Sequence, residues 1–183
     1  MKSEQILCIV GKSGSGKTTI AELLDKFGHT SIDSYTTRPP RHPNEKGHIF
    51  VSPESFADVA ASQGGMVAYT KFDGYEYGAT LLQYRRNDVY VIDPSGVKEL
   101  ADSVGRENLI VVYIYAPDTV RYQRMLKTRG EDEAKRRLDH DEKKFAGFTD
   151  YDLIFQNVGD TLKYITANLV NVIRTGKVEY IDK

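Results

Sequence analysis

Two groups of residues in this 183-residue chain have the types and spacing that phosphate chemistry needs. The first is Gly11-Lys12-Ser13-Gly14-Ser15-Gly16-Lys17-Thr18, a match to G-x-x-x-x-G-K-[ST]. Its glycines let the backbone take positive φ, so that successive N–H groups converge on one concavity, a nest for phosphate oxygens. Lys17 is then expected to reach β- and γ-phosphate oxygens, and the Thr18 hydroxyl to ligate Mg²⁺. Ser13, Ser15 and Thr19 complete the expected ATP-binding stretch. The second group is Arg38 and Arg41, in a segment rich in hydroxyls and prolines at residues 34–47. Guanidinium forks match phosphate oxygens in bidentate fashion, and the prolines lower the cost of ordering the segment. Ser34 and Tyr77 add hydroxyl donors. A donor anion and an acceptor anion are the two things that phosphoryl transfer must hold in line.

A third group is Arg124, Arg129 and Arg137. Arg129-Gly130 reads as a hinge into a charged helix at residues 131–145. Arginines on such a lid can close over the donor phosphates and stabilise transition-state charge. The same helix has Glu133/Arg137 and Asp132/Arg136 at i,i+4, which is ordinary surface pairing. Asp93 ends an apolar strand, where α/β proteins bind ligands. Ordering Mg²⁺-bound water, facing the acceptor and capping the next helix are three roles open to it.

These groups need a scaffold. Ile6 to Val10 is apolar throughout, as in a strand covered on both faces, and Ile20, Leu23, Leu24 and Phe27 form one face of the helix after the loop. The loop therefore sits at a helix N-terminus, where the partial positive charge favours anions. Strands are expected at residues 29–32, 88–93, 109–115 and 153–155, with helices between them and a last helix capped by Asp160. This alternation implies an α/β fold with a five-stranded parallel sheet flanked by helices. Residues 34–80 break the alternation. Pro53 at a helix start and Asp73-Gly74 between two short apolar runs predict a small, partly antiparallel lobe inserted into the core of residues 1–33 and 81–183.

These motifs resemble guanylate kinase over nearly the full length. Ser34-x-Thr36-Thr37-Arg38-x-Pro40-Arg41 is similar to that family's acceptor-phosphate motif, and Glu45-x-Gly47 with Phe50-Val51-Ser52 continues it. Tyr77-Gly78, Ile92-Asp93-x-x-Gly96, Arg129-Gly130 with Arg137-Leu138, and Tyr151-Asp152 with Asn157 match further elements. The resemblance implies a P-loop kinase fold with a short lid at residues 129–145, and ATP with Mg²⁺ as phosphoryl donor. It implies Lys17, Arg38, Arg129 and Arg137 as catalytic and Arg124 and Asn157 near ATP. Ser34, Arg38, Arg41, His48, Tyr77 and Asp93 are implied around the acceptor. Three positions depart. Ala68 stands where the family carries a guanine-reading glutamate, Ala79 where a hydroxyl partners guanine O6, and His48 where a tyrosine helps hold the acceptor phosphate. GMP or dGMP is the leading acceptor. Ribose 1,5-bisphosphate or another nucleoside monophosphate is the alternative, and a catalytically silent protein-binding domain is the reading from another class.

A net charge of −1 gives no basic field for nucleic acid or anionic membrane, and no apolar run is long enough to span a bilayer. The single cysteine, Cys8, falls inside the first strand and is expected as a buried free thiol. The expected protein is a cytoplasmic monomer or homodimer that binds only ATP and a small phosphorylated acceptor.

Overall fold

The computed structural model describes residues 5–41 and 43–176. Two sheets meet. The first is parallel, with β1 (Ile6–Val10), β6 (Val89–Val91), β7 (Leu109–Tyr115) and β8 (Leu153–Gln156) in the order β6-β1-β7-β8. β1 lies centrally, with Leu7 opposite Val89 on one side and Ile110 on the other. All five residues of β1 are buried, as its unbroken apolar run requires. Cys8 lies among them as a free thiol, and burial pushes it up to about 12, so it is inert.

The parallel sheet has four strands among the described residues, one fewer than expected. The missing strand is residues 29–32, which make only an isolated bridge, Ser31 to Val89, with Ile32 N–H donating to the Val89 carbonyl. The chain turns away at once into β2 (Ser34–Thr36), which joins the other sheet, so the segment has no room for a ladder. That second sheet, in the order β3-β2-β5-β4, belongs to the lobe. β3 (His48–Phe50) runs parallel to β2, and β5 (Tyr75–Thr80) runs antiparallel to both β2 and β4 (Met66–Phe72). The β4–β5 hairpin turns through Asp73 and Gly74, both at positive φ, as the Asp-Gly pair predicts.

The helices follow their sequence signals. α1 (Lys17–Lys26) starts on the last glycine of the loop, and α2 (Pro53–Ser62) is capped by the Ser52 hydroxyl. α3 (Leu81–Arg86) carries a full capping box between Thr80 and Gln83. α4 (Pro94–Val104) is capped by Asp93, whose carboxylate accepts from Gly96 N–H. α5 (Asp118–Arg129) and α6 (Glu131–Lys144) meet at Gly130, at φ 82. α7 (Leu162–Thr175) begins after Thr161, not on an Asp160 cap; the Thr161 hydroxyl is drawn to Asn157 Oδ1 instead. Apolar cores fill both faces of the parallel sheet. Val97 and Leu100 lie on one side, and Ile20, Leu24, Ile165 and Leu169 on the other. No helix among the described residues is long and apolar enough to cross a membrane.

Candidate active site

Residues 11–18 leave the central strand and enter α1. Gly14 and Gly16 take φ of 76° and 100°, which turns the backbone N–H groups inward. A side chain at Gly11 would come within 2.5 Å of the Ile114 carbonyl of β7, so the loop lies directly on the sheet. Lys17 spans it, and Nζ donates to the carbonyls of Gly11 at 2.6 Å and Lys12 at 3.1 Å. Burial pushes its ammonium from 10.5 down to about 8. Thr18 and Thr19 are exposed at the start of α1. The described residues contain no group of three or more His, Cys, Asp or Glu side chains that could cage a metal. A hard cation carried in on phosphate oxygens needs no such cage, and the exposed Thr18 hydroxyl is a side chain that could ligate it.

Three side chains brace the loop from behind. Asn157, buried at the end of β8, donates from Nδ2 to the Ser15 carbonyl at 2.7 Å. Arg124 Nη1 reaches the Gly14 carbonyl at 3.2 Å, and its Nη2 the Asn157 carbonyl at 3.2 Å. Both residues therefore sit at the loop, where they hold its carbonyls. The third is Asp141 of α6, whose carboxylate accepts from Ser13 N–H at 2.7 Å and from the Ser13 hydroxyl at 3.2 Å. It is paired in turn with Arg121, a fully buried guanidinium, at 2.7 Å. Nothing in the sequence pattern singled out Arg121 or Asp141.

The second cluster lies across the lobe. Arg38 forms a two-pronged pair with Glu45, at 2.8 and 3.2 Å, and Glu45 also accepts from the Arg41 backbone N–H at 2.6 Å. Burial opposes the Glu45 charge, but Arg38 and the Arg41 N–H outweigh it and hold the carboxyl down at about 2. The Arg38 Nε is buried with no partner among the described residues, a donor in want of an acceptor. His48 Nδ1 lies 3.1 Å from the Ser34 hydroxyl, and its ring packs edge-on against Tyr77. Burial and the Arg38 charge lower the His48 imidazolium, so His48 is neutral at pH 7. Glu45 is the residue this cluster adds to the expected set. Glu45→Ala is expected to raise KM for the acceptor at least about tenfold, since Arg38 and the Arg41 turn lose their common anchor. Steady-state kinetics with KM for ATP unchanged would check it.

A cavity of about 280 Å³ lies between lobe, core and α6, and Ser34, Arg41, His48, Tyr77, Asp93 and Arg137 all line it. The expected acceptor residues other than Arg38 thus share one cavity. Asp93 caps α4 and is also paired with Lys144 at 2.6 Å, so the cap and the pocket use the same carboxylate. Ala68 lines the cavity too, at φ 53 in a bulge of β4, whereas Ala79 is packed in the core and does not.

Two of the lid arginines, Arg136 and Arg137, line the acceptor cavity. Arg137 pairs with Glu133 at 2.7 Å; Arg136 also pairs with Glu133, in place of the expected Asp132. Arg129 makes no ion pair among the described residues. Burial lowers its guanidinium, and the charges of Arg137 and Arg41 lower it further. The charge of Arg129 is also felt at Lys17. Arg129 thus adds to the positive charge felt at Lys17 and shares the field of Arg137 and Arg41. Like charges are gathered here, as around a bound anion.

Against this geometry, a family model described as guanylate kinase matches residues 3–175. The chain belongs to the guanylate kinase family. It is 27% identical to the guanylate kinase of Malacoplasma penetrans, over 90% of this chain and 93% of that protein. With the guanylate kinase of Listeria innocua it shares 25% identity, over 93% and 87%. A crystal structure of guanylate kinase from Anaplasma phagocytophilum superposes with a TM-score of 0.62 at 21% identity, covering 98% of this chain and 89% of that one. As a member of the guanylate kinase family, the chain is a P-loop kinase of nucleoside monophosphates.

Proposed function

We propose that the protein transfers the γ-phosphoryl group of ATP to GMP or dGMP. The observation that carries this reading is the pairing of the phosphate loop, with Lys17 Nζ across it, with a cavity lined by Ser34, Arg41, His48, Tyr77 and Arg137. The loop N–H groups and Lys17 hold the donor phosphates. Arg38, Arg41 and the Ser34, His48 and Tyr77 side chains hold the acceptor phosphate. One of its oxygens is then the nucleophile, in line with the bond from Pγ to the β–γ bridging oxygen. Arg129 and Arg137 spread positive charge over the equatorial oxygens as the group passes, and α6 keeps water from it. Thr18 would hold the Mg²⁺ that accompanies ATP, which would supply charge neutralisation at the triphosphate. The same nest is the donor half for any acceptor, so the test must vary the acceptor.

A second reading has its own observation. The cavity is lined by Arg41, Arg136, Arg137 and Lys144 but by one carboxylate, Asp93; Glu45 and Glu133, the partners of the three arginines, lie outside its lining. A sugar carrying a second phosphate, ribose 1,5-bisphosphate, suits that balance. An ADP-release assay with GMP, dGMP, AMP, CMP, UMP, dTMP and ribose 1,5-bisphosphate separates the two. GMP and dGMP are expected to turn over fastest. Turnover of the sugar phosphate alone would refute the nucleotide reading, and no turnover with any acceptor would point to a protein-binding domain.

A further inference from the structure

We infer that Lys144 reads the acceptor base, and that the site takes 6-oxopurine monophosphates as a class, whether or not they carry a 2-amino group. This rests on the nucleotide reading above and deepens it. The charged pair on the wall of the cavity is Asp93–Lys144, at 2.6 Å. Three donors already occupy the Asp93 carboxylate. Oδ1 accepts from Gly96 N–H at 2.8 Å and from the Ser95 hydroxyl at 2.7 Å, and Oδ2 accepts from Lys144. Lys144 spends one of its three N–H groups on Asp93, and its side chain is 31% exposed at the cavity. The ammonium therefore has donors left to offer, while the carboxylate is close to saturated.

The neighbours sharpen this. Ala68 brings no polar group, and Thr70 brings a hydroxyl. Phe72 and His140 pack edge-on at 5.7 Å on the same wall, an aromatic surface for a flat ring. A base entering such a site meets a cationic donor, not an array of acceptors. The O6 carbonyl of guanine or hypoxanthine accepts from that donor. The 6-amino group of adenine would set N–H against N–H⁺, and an unmatched polar group facing a charge is how a site rejects a ligand. The exocyclic N2 amine of guanine has no free carboxylate to meet, so its loss costs little. Sites that discriminate strongly against an analogue lacking a group are those with a buried partner for it, and among the described residues this cavity offers the N2 amine no unpaired carboxylate.

The test is initial-rate kinetics of the full chain with GMP, IMP and AMP, for the native protein, Lys144→Met and Lys144→Arg. IMP is expected to reach a kcat/KM within about tenfold of GMP, with AMP at least about a hundredfold lower. Lys144→Met should raise KM for both oxopurines about tenfold or more and leave KM for ATP unchanged, and Lys144→Arg should restore most of the loss. A preference for GMP over IMP beyond about a hundredfold would overturn the inference. So would a lower KM for GMP in Lys144→Met, because it would mean that a released Asp93 reads the guanine N–H groups. Either result leaves GMP phosphorylation standing. If GMP itself is not turned over by the native protein, the nucleotide reading fails instead, and with it this inference.

Discussion

Lys17→Ala is expected to lower kcat by at least about a thousandfold, with ATP binding weakened as well. Its ammonium is the cation inside the loop, hydrogen-bonded to the carbonyls of Gly11 and Lys12 and held by them over the nest. Alanine would leave those carbonyls without a donor and the β–γ oxygens without a counter-charge. The fold should survive, since Lys17 packs no core and burial already disfavours its charge. A circular dichroism melt near the native value, with turnover lost, would show this. Turnover close to native would remove the loop from the mechanism. A pH profile gives a second measure. Folding lowers this ammonium from 10.5 to about 8, so the charge costs the free enzyme stability below pH 8, and that cost is relieved between pH 8 and 10.5. Only the protonated form serves the phosphates, so kcat/KM for ATP should fall as pH rises through about 8. Bound triphosphate restores the counter-charge and raises the pKa, so the limb in kcat should lie at higher pH.

The parts of this site that were legible in the sequence are those set by local spacing. The phosphate loop needs its glycines and lysine within eight consecutive positions, and Asp73-Gly74 fixes the hairpin through two residues. The β1 strand shows itself as an apolar run because both of its faces are covered. The failures have a common cause, which is that the partner is far away along the chain. Residues 29–32 have a strand's composition, yet a strand exists only where a neighbour offers a ladder, and the early turn into β2 leaves one bridge. On α6, Asp139, Asp141 and Glu142 look alike in the sequence. Only docking of the helix onto the loop buries Asp141 and selects it. Glu45 was visible as part of a motif, but its work of joining Arg38 to the Arg41 turn depends on a loop closing on itself.

The α6 helix also changes what the lid means. Its first turns carry Arg136 and Arg137, whose only ion pairs among the described residues are with Glu133 on the same helix. Its later turns are fixed to three separate parts of the molecule. His140 packs on Phe72 of the lobe, Asp141 holds the phosphate loop, and Lys144 holds Asp93 of the core. A lid closing about Gly130 would therefore have to carry these contacts with it or break them. The phosphate loop, the acceptor wall and the arginines proposed to stabilise the transition state are joined through one element, which suits an enzyme that must bring two anions together before it excludes water.

Asp141→Ala is the substitution with the largest expected effect on stability. Arg121 is fully buried, and its other carboxylate partner, Asp118, has a side chain that is 58% exposed and well hydrated. Without Asp141 the guanidinium keeps that outlying partner and the Ser13 carbonyl at 3.1 Å, and is otherwise a stranded charge. Removing one member of a buried pair costs about 3–5 kcal/mol, which in a domain of this size lowers Tm by roughly 6–20 °C. The cost comes from the orphaned partner, so Arg121→Met combined with Asp141→Ala should be more stable than the two single effects added together, and a thermal double-mutant cycle measures this. Strict additivity would mean that the pair does not act as a unit. Asp141→Asn separates charge from shape, because its amide oxygen can still accept from Ser13 N–H. The Asp141 charge raises the Lys17 ammonium, second only to burial among the influences on it. In Asp141→Asn that support is gone, so Lys17 should lose its proton at lower pH and the alkaline limb of kcat/KM for ATP should move to the acid side. A brace that served packing alone would leave that limb where it was.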